Sequence, residues 1–358
     1  MKILTVVGAR PQFIKAAAVC REVRKDHTEV LVHTGQHYDD MMSDVFFREM
    51  DVPAPDYNLE VRSSSQVTQS AQMMIGLEEV VLKERPDRIL VYGDTTSTLA
   101  GALVGSKLRI PVGHVEAGLR SFNKAMPEEI NRILTDHVCD ALFTPTDAAS
   151  RNLAREGIAE GVWQVGDVMY DALIHNVGIA EKRASVLDRL GVRPKEYVLA
   201  TIHRAANTDD RARLQAIMDA MARSGTGVIM LLHPRTRDRL KAFGLEGLAH
   251  GTGSVRIVDP VGYFDMLVLE KNARVIVTDS GGVQKEAYML EVPCVTVRCE
   301  TEWVETVEAG WNTLVGETVE RIPETIEAAG ATPEAHPMFY GDGAAAGRIA
   351  RTLATLGG

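Results

Sequence analysis

Three carboxylates fall where a parallel sheet would gather them. Asp94 follows the apolar run Arg88-Ile89-Leu90-Val91-Tyr92, and Glu116 follows Pro111-Val112-Gly113-His114-Val115. Glu128 opens a predicted helix directly after Pro127. Carboxylates crowded at one sheet edge raise one another's proton affinity. A group raised in this way can carry protons near neutral pH. Along the helix, Ile130, Ile133, Leu134 and Val138 are expected to form the buried stripe. Glu128, Asn131, Arg132 and Thr135 then share the opposite side by their three- and four-residue spacing. For that helix alone a capped start and a Glu128–Arg132 pair would be a sufficient reading. Three acids at one edge are harder to dismiss.

Cations stand beside these acids. The segment Gly8-Ala9-Arg10-Pro11-Gln12-Phe13-Ile14-Lys15 places Arg10, a planar fork suited to phosphate, and Lys15, a point charge, at the mouth of the first strand. Taken singly, Lys15 would pass as a solvated helix residue. In the second half, Asp279-Ser280-Gly281-Gly282 runs from a strand directly into a helix. Ser280, Gly281 and Gly282 would bring backbone N–H groups close to a phosphate. Glu286, one turn further on, could accept both hydroxyls of a ribose, and Arg298 ends the next strand. The bland alternative is a tight strand–helix turn. His203 with Arg204, and His233 with Arg235, also fall at strand ends, which favours function over structure.

The elements that must position these residues repeat one grammar. Ile3-Leu4-Thr5-Val6-Val7 is β-branched and apolar, as a parallel strand buried on both faces should be. Helical spacing follows over 14–23, 67–82, 97–107, 283–290 and, as a final helix, 344–356. Strands alternating with helices predict an α/β fold with functional loops at the strand carboxyl ends. The pattern starts again near residue 168, giving two Rossmann-like domains, 1–168 and 169–340, with 341–358 returning to the first.

Composition narrows the function. Over 358 residues, Asp plus Glu number 49 against 39 Lys plus Arg, a net charge of −10. That field disfavours nucleic acid and anionic lipid as partners. The apolar run before Gly8 is too short for a secretory segment, no stretch reaches membrane-span length, and a cytoplasmic protein is expected. The four cysteines show no CxxC spacing, so zinc and a disulfide framework are not expected. Neither HExxH, nor a P-loop, nor GxGxxG is present, which removes the usual support for zinc proteolysis, P-loop hydrolysis and dinucleotide binding.

Over essentially its whole length the sequence resembles the non-hydrolysing UDP-N-acetylglucosamine 2-epimerases. The resemblance rests on Gly8-Ala9-Arg10-Pro11, Tyr92-Gly93-Asp94-Thr95, His114-Val115-Glu116-Ala117-Gly118-Leu119-Arg120 and Pro127-Glu128-Glu129-Ile130-Asn131-Arg132. It extends through His203-Arg204, His233-Pro234, Asp279-Ser280-Gly281-Gly282 and Thr301-Glu302 to Glu305-Thr306. It implies the two-domain glycosyltransferase-B fold, a substrate cleft between the domains, a homodimer, and no metal or nicotinamide cofactor. By motif, Asp94, Glu116, Glu128 and His203 match the catalytic positions. Arg10, Lys15, Arg132, His233, Ser280, Gly281, Gly282, Glu286 and Arg298 match substrate- and UDP-binding ones. Where the family reads His-Arg-x-Glu-Asn, this chain has Ala206, so one carboxylate is missing. The stretch Gln36-His37-Tyr38-Asp39-Asp40 lacks a second glutamine that resembles an allosteric substrate contact in some bacterial members. Arg120-Ser121-Phe122-Asn123 and Met126-Pro127 are closer to the branch acting on UDP-2,3-diacetamido-uronic acids.

The implied reaction inverts C2 of a UDP-N-acetylhexosamine. Departure of UDP would precede loss of the C2 proton, and two acid/base groups would serve opposite faces. A glycosyltransferase of the same fold and a catalytically silent UDP-sugar sensor are the rival readings.

Overall fold

The computed structural model describes residues 1–35, 54–62, 65–245, 247–248, 254–330 and 333–356. The stretch 36–40 singled out above therefore lies outside the described residues. The chain divides into two compact units, Met1–Ile174 with Met338–Gly358, and His175–Pro337.

The first unit is a seven-stranded parallel sheet: β1 (Lys2–Val7), β2 (Thr28–His33), β3 (Tyr57–Asn58), β4 (Arg88–Tyr92), β5 (Val112–Val115), β6 (Ala141–Thr144) and β7 (Val162–Gln164). Their order is β3-β2-β1-β4-β5-β6-β7. Because β1 pairs with both β2 and β4, the strand order reverses beside it. Such a reversal opens a crevice at the strand carboxyl ends. Leu4, Val6, Val32, Met73, Leu77, Ile89 and Val91 form the core beneath it.

The second unit repeats the scheme with β8 (Val198–Thr201), β9 (Val228–Leu231), β10 (Val255–Val258), β11 (Val275–Thr278), β12 (Cys294–Thr296) and β13 (Asn312–Leu314). The order β10-β9-β8-β11-β12-β13, again parallel, reverses at β8 and β11. Val198, Ala200, Leu214, Ile217, Met230, Val277 and Val295 belong to its core.

The expected fold class is present: two parallel α/β units of the Rossmann-like kind used by glycosyltransferase-B proteins. The final helix Ala345–Leu356 packs on the helix Arg10–Val23. It is tethered by Asp171, whose carboxylate accepts the Ala345 and Ala346 N–H groups at 3.1 and 2.7 Å. Those are the donors a helix start leaves without an internal partner. Among the described residues no helix is long and apolar enough to cross a membrane.

One expectation fails on the helix Pro127–Val138. Ile130 and Leu134 are exposed, at 38% and 44%, whereas Glu129, Thr135 and Asp136 are buried. Its inward face is largely polar because both buried carboxylates meet donors there, which removes the usual penalty for burying charge.

Candidate active site

In the first unit the acids do not crowd bare against one another, as the sequence suggested. Each of two faces a cation. Lys15, in the second turn of Arg10–Val23, pairs with Glu116 at the end of β5, both side chains largely buried. Burial works against the Lys15 ammonium. Glu116, with Asp94 and Asp167 further off, outweighs it and holds the lysine above its ordinary value. Gly93 makes room for the pair, since a side-chain carbon there would lie 3.1 Å from Lys15 Nζ and 3.4 Å from Glu116 Oε2. Its φ of 63° also favours glycine. Glu116 itself takes a left-handed φ of 72°, an uncommon conformation for a side-chain-bearing residue.

Asp94 Oδ2 accepts from Arg132 Nη2 at 2.6 Å, and the Asp94 carbonyl accepts from Asn131 Nδ2 at 2.9 Å. Arg132 thus pairs with Asp94 and, through Nη1 at 3.0 Å, with Glu129, not with Glu128. Glu128 lies exposed in the first helical turn, on the side that carries Asn131 and Arg132 by spacing. Glu129 also accepts from the Ser121 N–H, the Ser121 hydroxyl and the Phe122 N–H at 2.8–2.9 Å. Burial opposes its charge, but these donors and Arg132 prevail and hold Glu129 below the ordinary carboxylate range.

A second tier fixes the loop that presents Glu116. His114 Nδ1 meets Asp136 Oδ1 at 2.7 Å, and His114 Nε2 meets the Gly93 carbonyl at 2.7 Å. Asp136 Oδ2 accepts from the Gly118 N–H at 3.0 Å and from Arg120 Nη1 at 2.7 Å. Arg120 in turn forks onto both oxygens of Glu156 at 2.7 and 2.8 Å. Burial works against the Asp136 charge, yet His114 and Arg120 hold its carboxyl below the usual range. At the start of Arg10–Val23, Gln12 accepts from the Gly8 and Ala9 N–H groups and donates to the Tyr92 carbonyl and Thr98. It ties the mouth of β1 to the end of β4. The side chain of Arg10 lies outside what the structure describes.

In the second unit, β8, β9 and β11 deliver their ends to one cleft of about 200 Å³ whose lining includes Thr201, His203, His233, Ser280 and Val283. Asp279, wholly buried, accepts from the His203 and Arg204 N–H groups and from Asn207 Nδ2 at 2.9–3.1 Å. Its Oδ1 lies 3.3 Å from His203 Nδ1. His203 and His233 stack with ring centroids 5.0 Å apart. Desolvation, then the neighbouring His203 and Arg235, lower the His233 pKa against an opposing pull from Asp279. His233 Nδ1 accepts from the Arg235 N–H at 3.2 Å, which leaves Nε2 as the protonated nitrogen of the neutral ring.

Ser280 caps the helix Gly281–Met289. A methyl on Gly281 would collide with the Glu302 carboxylate, whereas one on Gly282 meets only Ser280 Oγ at 3.9 Å. A side chain at Gly281 would displace the flexible end of Glu302, whereas Gly282 leaves an approach open for a ligand. Arg298 pairs with Glu302 at 2.9 Å. Glu286 is half-buried one turn into the helix. Ala206 is exposed on the short helix Ala205–Thr208, so the missing carboxylate would have stood at the surface. Among the described residues no cluster of three or more His, Cys, Asp or Glu side chains could hold a metal ion.

Sequence reasoning missed Gln12, Glu129, Asp136 and Asp279 as site-forming residues. Glu129 and Asp136 carried a usable signal. They stand seven apart, on one helical face, and only the assumption that apolar residues face inward hid them.

Comparison with known proteins identifies the family. A family described as UDP-N-acetylglucosamine 2-epimerase matches residues 21–354. A UDP-N-acetylglucosamine 2-epimerase homolog of Methanococcus maripaludis is 51% identical, covering 99% of this chain and 100% of the relative. The UDP-2,3-diacetamido-2,3-dideoxy-D-glucuronate 2-epimerase of Pseudomonas aeruginosa is 46% identical, covering 99% of this chain and 100% of that protein. The crystal structure of the Methanocaldococcus jannaschii UDP-GlcNAc 2-epimerase, in complex with UDP-GlcNAc and UDP, superposes with a TM-score of 0.83 at 44% identity. It covers 99% of this chain and 100% of that one. With a family match over nearly the whole sequence and a full-length relative at half identity, the chain belongs to the UDP-N-acetylglucosamine 2-epimerase family.

Proposed function

We propose that the chain is a non-hydrolysing epimerase that inverts C2 of UDP-N-acetylglucosamine to give UDP-N-acetylmannosamine, without a metal or nicotinamide cofactor. The observation that carries this reading is the alternation of carboxylates and cations, Lys15–Glu116 and Asp94–Arg132, at the carboxyl edge of β1, β4 and β5. The C2 proton of the sugar is not next to a carbonyl, so it is not acidic in the substrate. Cleavage of the C1–O bond sends its electron pair to the departing UDP and leaves C1 electron-poor. The C2 proton then passes to a carboxylate, giving 2-acetamidoglucal. UDP returns to C1 while a second group delivers a proton to the opposite face of C2. Atoms and charge balance without an added oxidant.

Asp94, Glu116 and Glu128 are the acid/base candidates. Carboxylates at this position also stabilise the cationic transition state, and Lys15 with Arg10 offsets charge on the leaving diphosphate. In the second unit, Glu286 takes the ribose, the Gly282 N–H and Ser280 with Arg298 take the diphosphate, and His203 with His233 stands at the phosphate end. The reading includes a cytoplasmic homodimer, checked by sedimentation and cell fractionation.

A second reading, the same chemistry on a UDP-2,3-diacetamido-uronic acid, is supported by the Pseudomonas aeruginosa relative. Arg120 gives it no help. Its guanidinium is engaged by Asp136 and Glu156 and is 1% exposed, so it is not the cation for a uronate carboxylate. Comparison of kcat/KM for the two sugars decides between them.

The direct experiment is NMR of UDP-N-acetylglucosamine incubated with the protein in deuterium oxide. The manno epimer should appear with deuterium at C2 even at low conversion, because the returning proton comes from a group that has exchanged with solvent. Product carrying only protium at C2 would sink the two-group mechanism. Free epimerised sugar would indicate a hydrolysing enzyme, and an unaltered sugar a transferase or a silent sensor.

A further inference from the structure

Glu270 belongs to no motif that points to the reaction. It lies on the helix Tyr263–Asn272, entirely buried at 0% exposure. Neither carboxyl oxygen meets an N–H or hydroxyl donor. The polar group it does reach is the carboxyl of Glu286, on the adjoining helix Gly281–Met289. Two carboxyl groups bond to each other only through a proton that one of them carries.

The surroundings decide which one carries it. Burial first, and the Glu286 carboxyl second, push the Glu270 pKa well above the carboxylate range, and no cation opposes them. From β12, Cys294 brings no positive charge: burial, with Glu270 adding to it against a Thr296 hydrogen bond, pushes the thiol up to about 12. Just before β8, Tyr197 is likewise raised, by burial and then by Glu270, and its hydroxyl donates to the Leu269 carbonyl at 2.6 Å. On the helix of Glu270 itself, Asp265 pairs with Arg189 and Lys271 with Glu181. A buried carboxylate with no cation and an acidic neighbour is costly, whereas a buried carboxylic acid donating to that neighbour is satisfied.

We infer that Glu270 is a positioning residue of the nucleotide site: held as the neutral acid, it donates a hydrogen bond to Glu286 and fixes that carboxylate so that its remaining acceptor capacity faces the ribose diol of a nucleoside diphosphate. The inference rests on the assignment of Glu286 as the ribose ligand made above. Without Glu270 the Glu286 carboxylate keeps its charge but loses the hydrogen bond that Glu270 donates to it. Discrimination between a ribose and a deoxyribose should then fade before affinity for the diphosphate does.

Calorimetric titration of UDP and 2′-deoxy-UDP into wild type, Glu270→Gln and Glu270→Leu tests this. Wild type should prefer UDP by about tenfold, the scale of one hydrogen bond to a charged group. Glu270→Gln, whose amide can donate the same bond, should keep that preference. Glu270→Leu should bring it close to unity with 2′-deoxy-UDP affinity unchanged. A wild type without preference would mean that Glu286 is not the ribose ligand. A wild-type preference that Glu270→Leu retains in full, or that Glu270→Gln loses, would overturn the role of Glu270 alone. Infrared difference spectra give an answer even if Glu270→Leu does not fold. Wild type minus Glu270→Gln at neutral pH should show the carbonyl stretch of a protonated carboxylic acid, and its absence from wild type would refute the inference.

Discussion

Lys15 and Glu116, 101 residues apart in the sequence, meet as an ion pair with side chains 12% and 11% exposed. The pair joins the helix after β1 to the loop after β5 across the glycine that follows β4. Removing one member of a largely buried pair leaves the other without compensation, so Lys15→Met should cost roughly 2–4 kcal/mol near neutral pH. Because Glu116, Asp94 and Asp167 together outweigh burial, the folded state binds the Lys15 proton more tightly than the unfolded chain does. That contribution is complete below the ordinary lysine value of 10.5 and disappears as pH rises through the higher folded value. Denaturant melts of wild type and Lys15→Met should therefore converge above that pH. A gap that stays constant would show that the pair contributes no proton-linked stability.

Proton transfer and nucleotide binding should separate by mutation. Glu116→Gln and Asp94→Asn should lower kcat by ~10²-fold or more if each group moves a proton, with UDP affinity little changed. Glu286→Ala should chiefly weaken UDP. Steady-state kinetics with calorimetry of UDP checks the division, and equal affinity losses in all three would mark the acids as a binding cluster.

The network behind Glu116 should be sensitive to Asp136. Asp136→Asn keeps the shape but leaves the wholly buried His114 without a carboxylate and the almost fully buried Arg120 with Glu156 alone, a cost of about 3 kcal/mol or more. The Asp136 pKa lies below its ordinary 3.8 in the folded state. Its stabilisation is thus present above that pH and fades as pH falls through the lower folded value. Acid melts of the two proteins should converge at low pH.

The two glycines at the second-unit helix should respond in opposite ways. Gly281→Ala pushes the Glu302 carboxylate away and frees Arg298 from its 2.9 Å pair. This should lower the melting temperature of the unliganded protein. Gly282→Ala enters open space and should leave that temperature unchanged while weakening UDP, because the methyl occupies the approach to the helix start. Thermal shift with and without UDP distinguishes them, and equal melting temperatures for both variants without ligand would contradict the assignment.

Much of the fold was legible because long strands buried on both faces announce themselves as apolar runs. Arg88–Tyr92 reads as a strand at sight and forms one. The short strands Tyr57–Asn58, Val162–Gln164 and Asn312–Leu314 did not. With two or three residues they have too little pattern to show, and pairing with a longer neighbour makes them strands. The placement of Asp94, Glu116, His203 and Ser280 at strand ends was readable for the same reason as the strands. What sequence could not show was pairing: that Arg132 reaches Asp94 rather than Glu128, or that Arg120 is consumed by Glu156. Such choices depend on which elements are neighbours in space, and helical spacing carries no record of that.

The left-handed backbone at Glu116 sets a limit on engineering this protein. A side-chain-bearing residue at a φ of 72° is held there at a cost of about 1–3 kcal/mol, and glycine or asparagine at the same place would relieve part of it. A library selected for heat resistance alone would accordingly discard the residue assigned here to proton transfer. Thermostable variants that keep turnover must gain their stability elsewhere and leave residue 116 strained.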